Sequence, residues 1–474
     1  MEPLLAAARV EIEGIETPKG TLSNAAFADD STFFIKNDRN VTKLVELLKS
    51  FSNVSGAVIN WHKSALTPLS TTPPNTNTPF SLKPIRQPPP TLGYTFPFNE
   101  ANNKAVWDRK VSEMNQQMAS LGYRKSLTYA GRVLIAKSLI LSKLWYVATI
   151  ISPSPAHIKE IQGKVWKFIF GKSCIHPSRP IALLPKKCGG IDAPDVAREM
   201  QTYAAHLYYQ AILNQDTPWG FFLLNKLSTF TRPQSNIPAI SFLQEARKSP
   251  GRRGWRAHCT DYTLVSAVIA WHHIQKHAGG IIEESWTHKQ LKYIIKPKQV
   301  TPVTTPKLIR KPQLKSLNNF QWKDLWYSEF PPKIRELLWR AAFNALPSRN
   351  RLRYFTELDQ NCTLCGEYED GPHMVRWCPE MKHFFGALHF ICYDLSDRVG
   401  NLIYGIAHYA AYLDNVQSRL HGLTRSKRTL TTKFRGLLHH FYTRTRPDIK
   451  QEWPSGELID RSLSSWALLP PPLP

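Results

Sequence analysis

Acidic side chains are in short supply in this 474-residue chain: 36 Asp and Glu stand against 61 Lys and Arg, a net charge of +25. That deficit argues against a cationic partner and favours a polyanion, with RNA or DNA the first expectation. Long apolar runs are missing too. The most apolar stretch, "LIAKSLILSKLWYVATII", is broken by Lys137 and Lys143 and reads as a buried helix, so neither a membrane span nor a membrane partner is expected. The first residues, "MEPLLAAARVEIEGIE", carry no basic leader and turn acidic early, unlike a secretory signal, which implies an intracellular protein, nuclear or cytoplasmic. Cysteine is sparse and odd in number, seven in all, which argues against a disulfide framework. Cys174, Cys188, Cys259 and Cys392 are scattered and read as small core residues or inert thiols. No internal repeat is visible, and the length suits two to four domains.

Helical pattern makes up most of the chain. "MEPLLAAAR" reads as a helix with Leu4, Leu5 and Ala8 on one face. "VEIEGI" alternates, "PKG" turns, and "SNAAFA" and "STFFI" read as two strands joined at Asp29-Asp30, forming a mostly buried hairpin with its carboxylates at an exposed tip. An amphipathic helix comes next, with Val41, Leu44, Val45, Leu48 and Phe51 inward and Gly56 closing it; a strand, "AVIN", then leads to Lys63. Residues 67 to 90, rich in Pro, Thr and Asn, read as an exposed loop, and "TLGYTF" as a short strand. "NKAVWDRKVSEMNQQMASL" and "SLTYAGRVLIAKSLILSKLWYVAT" read as long helices, the second capped at Ser126. Pro331-Pro332 should open another, "KIRELLWRAAFNAL". The fold class expected is α+β, mostly α.

The sharpest chemical signal is "CTLCGEYEDGPHMVRWC". Cys362, Cys365, His373 and Cys378 supply three thiolates and an imidazole at knuckle spacing, a donor set suited to tetrahedral zinc, and Gly366 eases the turn. Four ligands fill the sphere, so a structural ion is expected. From Lys307 to Arg353 there are eleven basic residues against three acidic ones. Among them Arg335, Arg340, Arg349, Arg351 and Arg353 lie near Trp322, Trp326, Tyr327 and Trp339, a mixture that suits phosphate neutralisation and base stacking. The tryptophans serve equally well as core. A second basic run spans Arg419 to Lys450, nine basic residues to one acidic.

Asp29 and Asp30 alone would be a solvated turn. Their apolar flanks suit a divalent metal facing a phosphate, and the order of the segments on their C-terminal side adds to this. "FADD", then the amphipathic helix, then "SGAVINWHKS" and "TLGYTF", resembles the second half of a reverse transcriptase palm. "FADD" looks like the catalytic hairpin, Lys63 matches the lysine of the next motif, and Gly93 with Tyr94 matches the primer-gripping strand. "SLTYAGRVLIAKSLILSKLWY" looks like the thumb of LINE-type, non-LTR retrotransposon polymerases. "WKDLWYSEFPPKIRELLWRAAFNALPSRNRL" with the cysteine cluster resembles the zinc-binding domain that comes after such polymerases.

The resemblance implies a partial palm over 1–100, a helical thumb-like domain over 101–215, a connector over 216–315, a zinc-binding domain over 316–395 and a basic helical tail over 396–474. It implies an RNA-directed DNA polymerase with Asp29 and Asp30 on Mg2+, Lys63 near the nucleotide's phosphates, Gly93 and Tyr94 near the primer end, and structural Zn2+. The family's third palm carboxylate and its fingers lie upstream of anything here, and nothing in residues 1–23, Glu11 and Glu13 included, resembles them. The chain alone is therefore expected to be inactive, completed only by an upstream polymerase fragment. The alternatives are a nucleic-acid-binding protein without chemistry and the product of a decaying element.

Overall fold

The structure is a computed structural model that describes residues 2–69, 79–83, 100–121, 127–171, 173, 175–228, 262–263, 266–267, 270, 287–294, 322–327, 330–354, 359–392, 395–421, 425–456, 458–459 and 463. Helices dominate, with six strands of two to four residues among the described residues, so the fold is α+β and mostly α. No described helix is long and apolar enough to cross a membrane. The chain forms two compact units: one from residues 1–121, 139–164 and 195–297, the other from 122–138, 165–194 and 298–474. The stretch 101–215, expected as one thumb-like domain, contributes to both.

In the first unit, α1 (Glu2–Glu11) and α2 (Asp38–Ser55) form a core of Leu4, Ala8, Ile12, Leu44 and Leu48, with Phe33, Ile35, Phe51, Ile59, Trp61 and Phe80 packed around it. Apolar residues three and four apart give each helix one sticky face, and burying it holds the pair together. Asn37 caps α2 by accepting from the Asn40 amide at 3.1 Å, and Gly56 ends it at φ 70°, as its place in the sequence suggests. Between the helices lie two antiparallel hairpins, β1 (Ile15–Thr17) with β2 (Gly20–Leu22) and β3 (Asn24–Phe27) with β4 (Asp30–Phe33). Val10 and Glu11 of the alternating "VEIEGI" belong to α1 instead, because the helix former run carries on through them.

One strand expectation and one loop expectation are corrected. "AVIN" pairs with nothing among the described residues; the pairing falls on β5 (Ala65–Leu66), which runs parallel to β6 (Ser81–Leu82). Part of the presumed loop 67–90 is thus structured, since Phe80 packs its ring on Trp61, centroids 5.6 Å apart, and brings β6 with it. "TLGYTF" lies outside the described residues. The remaining helices of this unit include α3 (Glu100–Leu121), which buries Trp107, Val111 and Met114.

The second unit contains α4 (Tyr129–Ile135), capped by Thr128 accepting from the Gly131 amide at 3.2 Å. Ser126, the expected cap, lies outside the described residues. The helix then passes into a π segment at Ala136–Leu141. Its C-terminal part is built from Trp322–Tyr327, Pro332–Ala342, Pro379–Cys392, Asp397–His421 and Lys427–Arg444, here α5 to α9. Pro332 opens α6 at its first turn, where a missing amide hydrogen does no harm. Ile334, Phe384, Leu388, Ile403, Ala407, Phe434 and Leu438 make the core. Trp339 is fully buried, and its indole donates to the Gly189 carbonyl at 2.8 Å.

Candidate metal centre

The cysteine cluster is assembled from two local structures. Residues 362–366 form a tight knuckle: the Cys362 amide donates to the Glu367 carbonyl at 2.6 Å, the Gly366 amide to the Cys362 carbonyl at 2.9 Å, and Gly366 sits at φ 75°. Only glycine adopts that φ without strain, which is why it stands next to the second cysteine. The Leu364 amide points at the Cys362 sulfur, 3.4 Å away. The second structure is a π turn, His373–Trp377, whose start is held by Asp370 accepting from the His373 amide at 2.7 Å, and Cys378 ends it just before α7.

Cys362 and Cys378 Sγ stand 4.0 Å apart, and Cys365 Sγ lies 3.3 Å from His373 Nε2. All four donor atoms fall within 4.8 Å of one another. Zn–S bonds of ~2.3 Å in a tetrahedron imply S···S edges of about 3.8 Å, so the spread suits one zinc ion with little adjustment. Cys362, Cys378 and His373 are buried and Cys365 half-buried. Hydrogen bonding with the Cys378 thiol lowers Cys362 below the usual thiol range and correspondingly pushes Cys378 up.

Around the ligands lies polar support that spacing alone could not disclose. Glu369, fully buried, accepts from the Arg349 amide at 3.0 Å and from Asn415 Nδ2 at 2.7 Å, joining the loop to α8. Arg425 directs Nη1 at the Cys362 sulfur, 3.9 Å away, and Nε at Asp414 Oδ2, 3.0 Å away. Lys433 Nζ reaches the other oxygen of Asp414 at 2.8 Å. The only sequence signal for Arg425 was its membership of a basic run.

The five arginines expected near nucleic acid divide. Arg335 donates to the Trp326 carbonyl at 2.6 Å, Arg340 to the Ala345 carbonyl at 3.1 Å, and Arg351 to the Asn344 carbonyl at 3.0 Å, each half-buried. Arg349, also half-buried, donates to the Asp359 carbonyl at 3.3 Å. These guanidiniums staple the turns before the knuckle. Arg353 is exposed and lies over the ring of Tyr354, 4.7 Å from its centroid. Trp322, Trp326 and Trp339 are core.

Asp29 and Asp30 stand at the β3–β4 turn as expected, with Ala28 at φ 54°. The hairpin is not mostly buried, however: Ala25 to Asp30 are all exposed, and Phe27 is 67% accessible, because β3 and β4 pair only with each other among the described residues. Lys63 is exposed in a separate turn, its amide held by Asn60 Oδ1 at 3.1 Å. Among the described residues a single group of three or more His, Cys, Asp and Glu is close enough to share a cation, and it is the cysteine cluster; the two aspartates are not part of one. Gly93 and Tyr94 lie outside the described residues.

Fold and site together define a helical protein carrying a Cys3His metal-binding module. Residues 307–384, which include all four ligands, match the family described as zinc-binding in reverse transcriptase. A 215-residue stretch, 43% of the chain, is 24% identical to the "Transposon TX1 uncharacterized 149 kDa protein" of Xenopus laevis, and covers 16% of that protein's length. The chain thus contains a region related to the C-terminal part of non-LTR retrotransposon reverse transcriptases.

Proposed function

We propose that this chain corresponds to the C-terminal part of a non-LTR retrotransposon RNA-directed DNA polymerase, that its Cys3His module holds one structural zinc ion and contacts RNA or DNA, and that the chain does not polymerise alone. The observation that carries the reading is the convergence of Cys362, Cys365, His373 and Cys378 inside the stretch that matches the zinc-binding family. Zinc supplies a rigid cross-link between knuckle and π turn, with no open position for chemistry. Nucleic-acid contact is supported by the net charge of +25 and by exposed Arg353, Arg428, Arg435 and Arg444. By the family resemblance, Asp29 and Asp30 would hold Mg2+ in a complete polymerase, beside Lys63, Gly93 and Tyr94. The hairpin that carries Asp29 and Asp30 is exposed, and inactivity alone is a proposal that rests on the family resemblance.

The test has two arms. Metal analysis is expected to find one zinc per chain and much less in Cys365→Ser; equal zinc in both would overturn the site. Primer extension with magnesium and an RNA template is expected to fail for the chain alone. Extension that disappears in Asp29→Ala would refute that, and extension only after adding an upstream palm and fingers fragment would identify a split enzyme.

A further inference from the structure

We propose that Arg425 is a positioning residue for the metal: its guanidinium, oriented by Asp414, neutralises the buried zinc–thiolate centre through the Cys362 sulfur and thereby sets how tightly the ion is held. The inference rests on the zinc reading of the Cys3His cluster.

Zn2+ bound by three thiolates and a neutral imidazole carries a net charge of −1, since 2 − 3 = −1. Such a charge enclosed by core is costly unless an opposite charge is hydrogen-bonded to it. The cluster packs among Ile334, Met381, Phe384 and Leu430, so water contributes little on that side. Three charged groups are bonded in sequence to its buried sulfur: Arg425 at 3.9 Å from Cys362, Asp414 at 3.0 Å from Arg425, and Lys433 at 2.8 Å from Asp414. Their charges sum to +1, which cancels the centre's −1. Glu369, the other fully buried carboxylate nearby, is engaged separately, accepting from the Arg349 amide at 3.0 Å and from Asn415 Nδ2 at 2.7 Å.

The arrangement is specific to a guanidinium. Arg425 and Asp414 side chains are 2% and 3% exposed, so the pair sits out of solvent screening. One planar group must donate simultaneously to a carboxylate through Nε and to a sulfur through Nη1, which an ammonium on a flexible stem cannot reproduce in the same geometry. Asp414 fixes the plane, and Lys433 prevents Asp414 from cancelling Arg425 entirely. The donors that orient a metal ligand commonly set affinity by 10- to 100-fold, and Arg425 plays that part for Cys362.

The experiment uses the full chain carrying zinc, with Arg425→Met, Arg425→Gln and Arg425→Lys. Zinc affinity by chelator competition is expected to fall by about 10- to 100-fold in Arg425→Met and Arg425→Gln, and to be partly restored in Arg425→Lys. In cobalt-substituted protein, the sulfur-to-metal charge-transfer band should shift in Met and Gln variants, because Cys362 becomes the more electron-rich donor; a merely structural loss would not move it. Cys362 should also be alkylated several-fold faster in the zinc-loaded variants, relative to Cys365 in the same molecules. If Arg425→Met does not fold, Arg425→Gln and Arg425→Lys are compared, since both retain a hydrogen-bond donor. Wild-type affinity and an unshifted band in the folded variants would overturn the proposal. A wild-type chain that binds no zinc would instead overturn the reading on which it rests.

Discussion

At the scale of single residues, Gly189 in the second unit is constrained both by its backbone and by what lies above it. It sits at φ 94°, and a β-carbon there would lie 2.8 Å from the Trp322 ring, while its carbonyl accepts the indole proton of buried Trp339. Gly189→Ala combines a left-handed backbone with displacement of an indole that stacks on Phe343, so a loss of about 2–4 kcal/mol is expected by denaturant unfolding monitored through tryptophan fluorescence. A change under ~0.5 kcal/mol would show that the close approach is not felt. His408 is constrained differently. Burial, aided by the nearby Arg376 charge, holds its imidazole down at about 3, and its Nδ1 lies 2.6 Å from the Tyr404 carbonyl. Because the folded form is neutral and the unfolded imidazole binds a proton near pH 6.5, this residue's contribution is complete above that pH and is lost as pH falls toward 3. At pH 5 the loss is about 2 kcal/mol, and His408→Gln should flatten the stability profile between pH 6.5 and 5. Parallel profiles for the two proteins would count against it.

At the scale of elements, α9 shows how a basic run resolves into faces. Leu430, Phe434 and Leu438 recur every four residues and are buried, whereas Arg428, Arg435 and Arg444 are exposed. If those three contact phosphates, Arg428→Gln, Arg435→Gln and Arg444→Gln combined should weaken single-stranded nucleic-acid binding and reduce the logarithmic salt slope by about 2, at ~0.7 per phosphate. An unchanged slope would move the contact elsewhere. The basic residues around α6 resolve the other way: four of five candidate arginines donate to main-chain carbonyls, so composition overstated how much of that charge faces solvent. Helix ends were more legible. Gly56 and Pro332 act where they stand because their effect is on the local backbone, whereas β5–β6 was hidden, its pairing depending on Phe80 meeting Trp61 across more than a dozen residues.

At the scale of the whole molecule, the chain reads clearly where chemistry is local in sequence. Charge excess, helical periodicity and the four ligands at knuckle spacing were all determined by the sequence itself, because side-chain type and spacing along a turn set them directly. The hairpin at Asp29-Asp30 belongs with these, its turn being a two-residue event. Burial does not. Whether Phe27 is covered, whether Arg335 meets a phosphate or the Trp326 carbonyl, and whether Gly189 lies beneath an indole are decided by which distant segments arrive. The charge network from Lys433 through Asp414 and Arg425 to Cys362 is the sharpest case: its last link, Arg425 to Cys362, joins residues 63 apart in the chain, so only the tertiary structure brings a guanidinium to the sulfur.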